Sequence, residues 1–454
     1  MLHLPMAMFM RNGSCARFAT SRSFYKCLSG TAASMSSGVR LRILPSYRCL
    51  FDEPVNIKVE GLAPEQSVEL KAKLTDDKGV TFKSSGIYKA DRRGEIDLDS
   101  APSLGGSYTG VEAMGLFWSL RPETPHAKFV KRNALGPCLY DLEVHSGESQ
   151  GHVLARETNE RGFMVEGMRR IPLKEERIRG TLFVPPGPGP FPGVIEMGVL
   201  GGGLSEVRGC LLANQGFVVL CLAYYGYQDL PKTMKKLDLE YFEEAIMFLR
   251  KLPEVKGPGI GVLSISKSGD LSLSMASYLN GVSATVLVNG CNANTMFPLS
   301  YKGMVIPPLR ADLKKVRTTE SGVLDVSNGL VDTMAPENRG SLIPIEQANC
   351  RFLFAVSGDD KNWKSGYYVE QMTKRLKDHG KHDYEVVVYP GAGHFLEVPY
   401  MPHCATSMHA AVGNVVVFGG DPRAHAKAQE DFWRSVPTFF KKYLDNRTFK
   451  NARL

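Results

Sequence analysis

The sequence predicts an α/β fold built on a mainly parallel sheet and preceded by a small antiparallel β-sandwich. Three observations predict it. Residues from about 45 to 165 carry short alternating runs separated by turn residues, the pattern of half-buried antiparallel strands. From Gly180 onward, unbroken apolar runs of strand length alternate with helical patterns, as they do where strands are buried on both faces. One of those runs stops abruptly on a serine, Ser266, with a helical pattern starting on the next residue. The 454 residues are enough for two to three domains, and 43% hydrophobic content supports sizeable cores. The expected organisation is a segment 1–34, a β-sandwich over 45–165 and the larger α/β domain over 170–446.

In the first 34 residues Ser, Ala and Met are frequent, Arg is present and acids are missing, as in a mitochondrial transit peptide. Residues 1–50 hold seven Lys or Arg and no acid, which leaves 48 basic against 47 acidic residues beyond them. The net charge of +8 therefore belongs mostly to one end, and the near-neutral body argues against a nucleic-acid-binding surface. The last three residues, Ala452-Arg453-Leu454, have the small-basic-leucine form of a peroxisomal address. Mitochondrial matrix is the expectation, with the peroxisome, or the cytosol if the chain starts at Met35, as alternatives. No stretch approaches the roughly 18 uncharged apolar residues of a spanning helix, so no integral membrane association is expected. The nine cysteines are scattered and never form Cys-x-x-Cys, which speaks for free thiols in a reducing compartment and against zinc.

In the N-terminal part, Val55–Val59 and Val68–Leu74 alternate, and Asp76-Asp-Lys-Gly79 makes a hairpin-like break. Further strands are expected near Phe117–Leu120 and Leu139–Val144. A charged segment from Arg156 to Arg179 follows, then a strand from Gly180 running into a Pro/Gly linker. Core strands are expected at Gly193–Met197, Phe217–Leu222, Gly259–Ile265, Ala284–Asn289, Arg351–Ser357 and Tyr384–Tyr389. Leu237, Tyr241, Ala245, Phe248 and Leu252 trace one helix face, and further helices are expected at Ser205 and after Lys267, Ser365 and Arg423.

A strand that turns straight into a helix through a serine has the layout of a nucleophile elbow, which exposes Oγ at the carboxyl edge of a sheet. The usual pattern is Gly-x-Ser-x-Gly, because strand and helix pack closely there. This chain has Ser264 and Ser268 at the two glycine positions. A serine nucleophile needs a base and an orienting acid, and an α/β-hydrolase supplies them in the order Ser, Asp or Glu, His. Downstream, one strand ends in Gly358-Asp359-Asp360 and the next in Gly391-Ala392-Gly393-His394. Both ends fall where open α/β sheets place their sites. His394 is the candidate base and Asp360 the candidate acid, with Asp359 as the fallback. The oxyanion hole is expected from the Lys267 N–H and an amide of the loop Gly198–Gly203, assigned to Leu200. That loop lacks the Gly-x-x-x-x-Gly-Lys-Ser/Thr of a phosphate cradle, and no cofactor is expected.

With these residues in view, the chain resembles the type I acyl-CoA thioesterases, the family that also holds bile acid-CoA:amino acid N-acyltransferase. The similarity runs from about Tyr47 to Tyr443. It includes Phe51-Asp-Glu-Pro-Val, Gly61-Leu-Ala-Pro-Glu-Gln, Leu104-Gly-Gly-Ser, Ala223-Tyr-Tyr and Asp229-Leu-Pro-Lys-Thr-Met. Later come Leu239-Glu-Tyr-Phe-Glu-Glu-Ala, Ile265-Ser-Lys, Asp360 with Asn362-Trp-Lys-Ser, Gly393-His and Gly419-Gly-Asp-Pro-Arg-Ala-His. The resemblance implies an α/β-hydrolase domain behind the β-sandwich, a Ser266–Asp360–His394 triad and hydrolysis of fatty acyl-CoA to fatty acid and CoA. The related acyltransferases carry cysteine where this chain has Ser266, and a thioester intermediate is the more readily attacked by an amine. Serine therefore favours hydrolysis, with conjugation of the acyl group to glycine or taurine as the alternative. Lys or Arg at the mouth of the site is expected for the phosphates of CoA.

Overall fold

Eight strands form the central sheet of the computed structural model, which describes residues 38–147, 151–198 and 202–445. They are β1 (Arg169–Glu175), β2 (Ile178–Val184), β3 (Phe191–Met197), β4 (Val218–Ala223), β5 (Val255–Ile265), β6 (Val282–Val288), β7 (Arg351–Ser357) and β8 (Tyr384–Tyr389). Their spatial order is β1-β2-β4-β3-β5-β6-β7-β8. The first two strands run antiparallel to their neighbours. Every pair from β4 to β8 is parallel.

Parallel strands need crossovers, and the helices that supply them cover both faces. Alternate residues of one strand therefore enter different cores. Val194 of β3 and Val219 of β4 pack with α1 (Val207–Ala213) and α5 (Pro422–Leu444). Ile195 and Val218, one residue away in each strand, pack with α2 (Leu239–Lys251), α3 (Lys267–Tyr278) and α4 (Ser365–Asp378). This doubly covered sheet, with its elbow serine after β5, is the α/β-hydrolase fold.

Ahead of it lie a three-stranded antiparallel sheet, beginning with Arg40–Leu44 and Asn56–Glu60, and a seven-stranded, largely antiparallel sheet. In the larger sheet the strands Ser67–Thr75 and Thr81–Lys89 are joined by the Asp76–Gly79 turn. Asp76 fixes that turn by accepting the N–H groups of Lys78 and Val80. The described chain forms one compact unit, and the core of these sheets is continuous with the α5 face of the hydrolase sheet.

One expectation fails. Phe117 and Trp118 lie in a helical turn, Gly115–Trp118, rather than a strand. All four of its residues are buried, and a run this short has no period to tell helix from strand. The charged stretch 156–179 takes in most of the strand Val153–Gly162 and all of β1. β1 is a sheet edge, where charged residues and Pro172 are tolerated because one side faces water. Segment 1–34 and the tripeptide 452–454 lie outside the described residues. No helix of the described residues is long and apolar enough to cross a membrane. The seven described cysteines are free.

Candidate active site

Ser266 sits between β5 and α3 with φ 59° and ψ −125°. A residue with a side chain adopts this region only under strain, typically about 1–3 kcal/mol that the surroundings must offset. Here the restraints are visible. The Ser266 N–H donates to Val288 O of the neighbouring β6 (2.9 Å), and the Gly269 N–H donates back to Ser266 O (2.8 Å). A Cβ on Gly269 would lie 3.0 Å from Gly290 Cα, so a side chain there would press α3 away from the end of β6 by a few tenths of an ångström.

The two serines at the usual glycine positions are fully buried, and both hydroxyls are bonded. Ser264 Oγ lies 2.7 Å from Ser272 Oγ on α3 and 3.2 Å from Val286 O. Ser268 Oγ accepts the Ile265 N–H (2.9 Å) and stands 3.0 Å from Met197 O, at the end of β3. It thus ties the elbow to the strand that leads into the glycine-rich loop.

His394 follows β8, and its imidazole is 1% exposed. Its Nε2 lies 2.8 Å from Ser266 Oγ and its Nδ1 2.8 Å from Asp360 Oδ2. An ionised carboxylate can only accept, so Nδ1 carries the hydrogen and Nε2 is left to accept from the serine. Asp360, just beyond β7, is itself held. Its Oδ1 accepts the N–H groups of Asn362 (2.8 Å) and Trp363 (3.0 Å), and Oδ2 accepts Ser365 Oγ (2.6 Å). Asp359 points elsewhere, to the Gly420 N–H and to Lys361. The structure therefore brings Ser266, His394 and Asp360 into one hydrogen-bonded chain and leaves Asp359 outside it. Such a chain can turn a serine hydroxyl into a nucleophile.

The Lys267 N–H is in the first turn of α3, where no intrahelical acceptor exists. Leu200 lies outside the described residues. Its loop begins at Gly198 and re-enters at Gly202. The Lys267 side chain runs the other way, fully buried, onto Asp270 (2.9 Å) and Thr295 O (2.7 Å). Burial raises the Asp270 carboxyl above its ordinary range, and the Lys267 ammonium opposes that.

Several supporting residues escaped the sequence reading. Asn289 Nδ2 donates to His394 O (2.8 Å) and fixes the histidine's main chain. His425 Nδ1 on α5 accepts the Gly393 N–H (3.0 Å). Asn362 Nδ2 lies 3.2 Å from His394 Nε2. The rings of Trp363, Phe395 and Phe418 surround the imidazole at 5.3 to 5.9 Å between centroids. Only the Asp360 turn had a readable signal, because an aspartate that accepts main-chain N–H groups two and three residues on makes an Asx-turn before a helix. Asn289 arrives from a distant segment that no local pattern marks, and His425 closes the Gly419-Gly-Asp-Pro-Arg-Ala-His motif with no local sign of the role it plays.

Comparison with known proteins adds a separate line. Residues 52–175 match the model for the acyl-CoA thioester hydrolase/BAAT N-terminal region, and residues 237–446 match that for the BAAT/acyl-CoA thioester hydrolase C terminal. Acyl-coenzyme A thioesterase 1 of Homo sapiens is 50% identical over 402 residues, spanning 88% of this chain and 96% of that protein. Acyl-coenzyme A thioesterase 2, mitochondrial, of Homo sapiens is 49% identical over 402 residues, with 88% and 83% coverage. Acyl-coenzyme A thioesterase 1 of Rattus norvegicus is 48% identical over 410 residues, with 90% and 97% coverage.

Proposed function

Because this chain belongs to the acyl-CoA thioester hydrolase/BAAT family, we infer that it is an enzyme hydrolysing fatty acyl-CoA to free fatty acid and CoA, with Ser266, His394 and Asp360 as its triad. The observation that carries the site assignment is the unbroken hydrogen-bond chain from Asp360 through His394 to Ser266. Ser266 Oγ attacks the thioester carbonyl as His394 Nε2 takes its proton. The oxyanion is held by the Lys267 N–H and an amide of the Gly198–Gly203 loop, with Leu200 as the proposed donor. The C–S bond breaks, and the CoA sulfur leaves with the proton from the imidazolium. A water, deprotonated by His394, attacks the acyl-Ser266 ester and frees the fatty acid. Asp360 keeps the imidazole in the accepting tautomer and stabilises it when charged.

Residues 45–165 serve in this reading as the accessory β-domain, 170–446 as the catalytic domain and 1–34 as an import segment. The word mitochondrial in the name of one of the relatives supports matrix localisation, which subcellular fractionation tests.

The function is tested by incubating the protein with C6 to C20 acyl-CoAs plus glycine and taurine and weighing the acyl products. Free fatty acid is expected, with Ser266→Ala losing roughly 10⁴-fold or more in kcat. Acylated glycine or taurine as the main product would assign the protein to amino-acid conjugation instead.

A further inference from the structure

A side-chain amide beside the triad is bonded at one end only. Asn362 is 3% exposed, and its Oδ1 is buried with no hydrogen-bond partner. A buried acceptor left unpaired is costly, and in a native protein it calls for a reason. The other end of the amide points to one. Asn362 Nδ2 lies 3.2 Å from His394 Nε2, the atom that stands 2.8 Å from Ser266 Oγ.

The position of this residue is fixed through its main chain. The N–H groups of Asn362 and Trp363 both donate to Asp360 Oδ1, at 2.8 and 3.0 Å. The Trp363 ring meets the imidazole edge-on, 5.9 Å between centroids. The turn that presents Asp360 to Nδ1 therefore also presents Asn362 to Nε2 of the same ring. Among the described residues, that contact with Nε2 is the one hydrogen bond of the Asn362 side chain.

Neutral and charged histidine need opposite ends of an amide. The neutral ring has a single lone pair at Nε2, and two donors face it, Ser266 Oγ and Asn362 Nδ2. Once the serine proton is on Nε2, that nitrogen becomes a donor, and an N–H facing it repels. Oδ1 is then the end that fits, and turning the amide end for end breaks no bond at Oδ1 because none exists. We propose that Asn362 is a further catalytic residue of the hydrolysis proposed above, on which this role rests. Its amide donates to Nε2 in the resting enzyme and turns to accept from the Nε2–H whenever the imidazole is charged. The proton stays on Nε2 until it passes to the CoA sulfur. At 3.2 Å the amide is the more distant partner, so its dipole stabilises the charge without taking the proton. The same turn serves deacylation, when His394 takes a proton from water.

The test compares the full chain with Asn362→Leu and Asn362→Asp, reading kcat, KM and Tm across about pH 6 to 9 with the best acyl-CoA of the panel above. Three titratable or charged side chains surround the ring besides Ser266. Asp360 bonds Nδ1, Lys128 lies over the adjoining Phe395 ring, and His409 stacks on Phe418 as His394 does. Burial lowers His409 to about 4, so it stays neutral over this range. Asn362→Leu fills the same space with no acceptor and is expected to lose roughly 10- to 100-fold in kcat, with KM within a few-fold. Asn362→Asp keeps an acceptor and adds a negative charge beside Nε2. The acid limb of its kcat/KM profile should move up by about one pH unit or more, with most of kcat recovered above that limb. A purely structural residue would not move the limb. A pH profile of Asn362→Asp that superimposes on that of the unmodified chain, or full kcat in Asn362→Leu, would overturn the proposal. If Asn362→Leu does not fold, the limb of the isosteric Asn362→Asp still decides. If the unmodified chain hydrolyses no acyl-CoA, the hydrolase reading falls, and the rate at which a fluorophosphonate labels Ser266 is followed against pH instead. An upward shift in Asn362→Asp is expected there too, and identical profiles overturn the role of the amide.

Discussion

Ser264 and Ser268 raise a packing question at the proposed nucleophile, because each adds a side chain where an elbow usually has none. The structure answers it with hydrogen bonds. Both hydroxyls point into the seam between β5, α3 and the ends of β3 and β6, and neither is bonded to Ser266. They replace glycine's freedom with fixed contacts at a turn that already holds Ser266 at positive φ. Restoring glycine at both positions removes those bonds, places a glycine in α3 and empties buried volume. Ser264→Gly/Ser268→Gly is expected to lose roughly 2–4 kcal/mol of stability, visible as a lower Tm, while kcat per folded molecule stays within a few-fold. Unchanged stability would mean that the two hydroxyls contribute nothing to holding the elbow.

At the scale of elements, the loop carrying His394 is held by α5 through a second, buried histidine. Burial, and secondarily the neighbouring His403, lower His425 to about 3 from the usual 6.5. The folded protein therefore keeps His425 neutral, able to accept the Gly393 N–H, while the unfolded chain takes up a proton near pH 6.5. Stability from this source is complete above pH 6.5 and is lost as pH falls toward 3. One proton contributes a slope of about 1.4 kcal/mol per pH unit. His425→Asn, which keeps an acceptor but cannot titrate, should flatten the acid limb of stability against pH. His409, lowered to about 4 chiefly by burial, keeps part of the slope. An identical acid limb in the variant would remove His425 from the account. What was readable at this scale follows from burial. The doubly covered strands are long apolar runs, and β7 and β8 begin and end where the pattern predicts. Strands of two or three residues, such as Leu299–Tyr301 and Arg317–Thr318, are too short to have a period that marks them in the sequence.

Across the whole molecule, the proposed triad was legible because its members are punctuated by strands. Each follows an apolar run, in the chain order that one fold uses. The neighbours that orient it were not, because Asn289 and His425 are joined to it only by the chain's three-dimensional path. The β-domain is likewise no appendage. Trp433 Nε1 on α5 donates to Asp52 (2.6 Å), Arg423 pairs with Glu112, and the buried Arg161 lies between Phe117 and Tyr400. One core runs through both parts. In the proposed reaction, acyl transfer passes through Ser266. It is tested most directly by mixing the protein with acyl-CoA, quenching within the first turnover and weighing its peptides. An acyl group on the peptide containing Ser266, appearing before steady state and missing in Ser266→Ala, is the predicted result. Undiminished release of fatty acid by Ser266→Ala, or an acyl group on another residue, would contradict it.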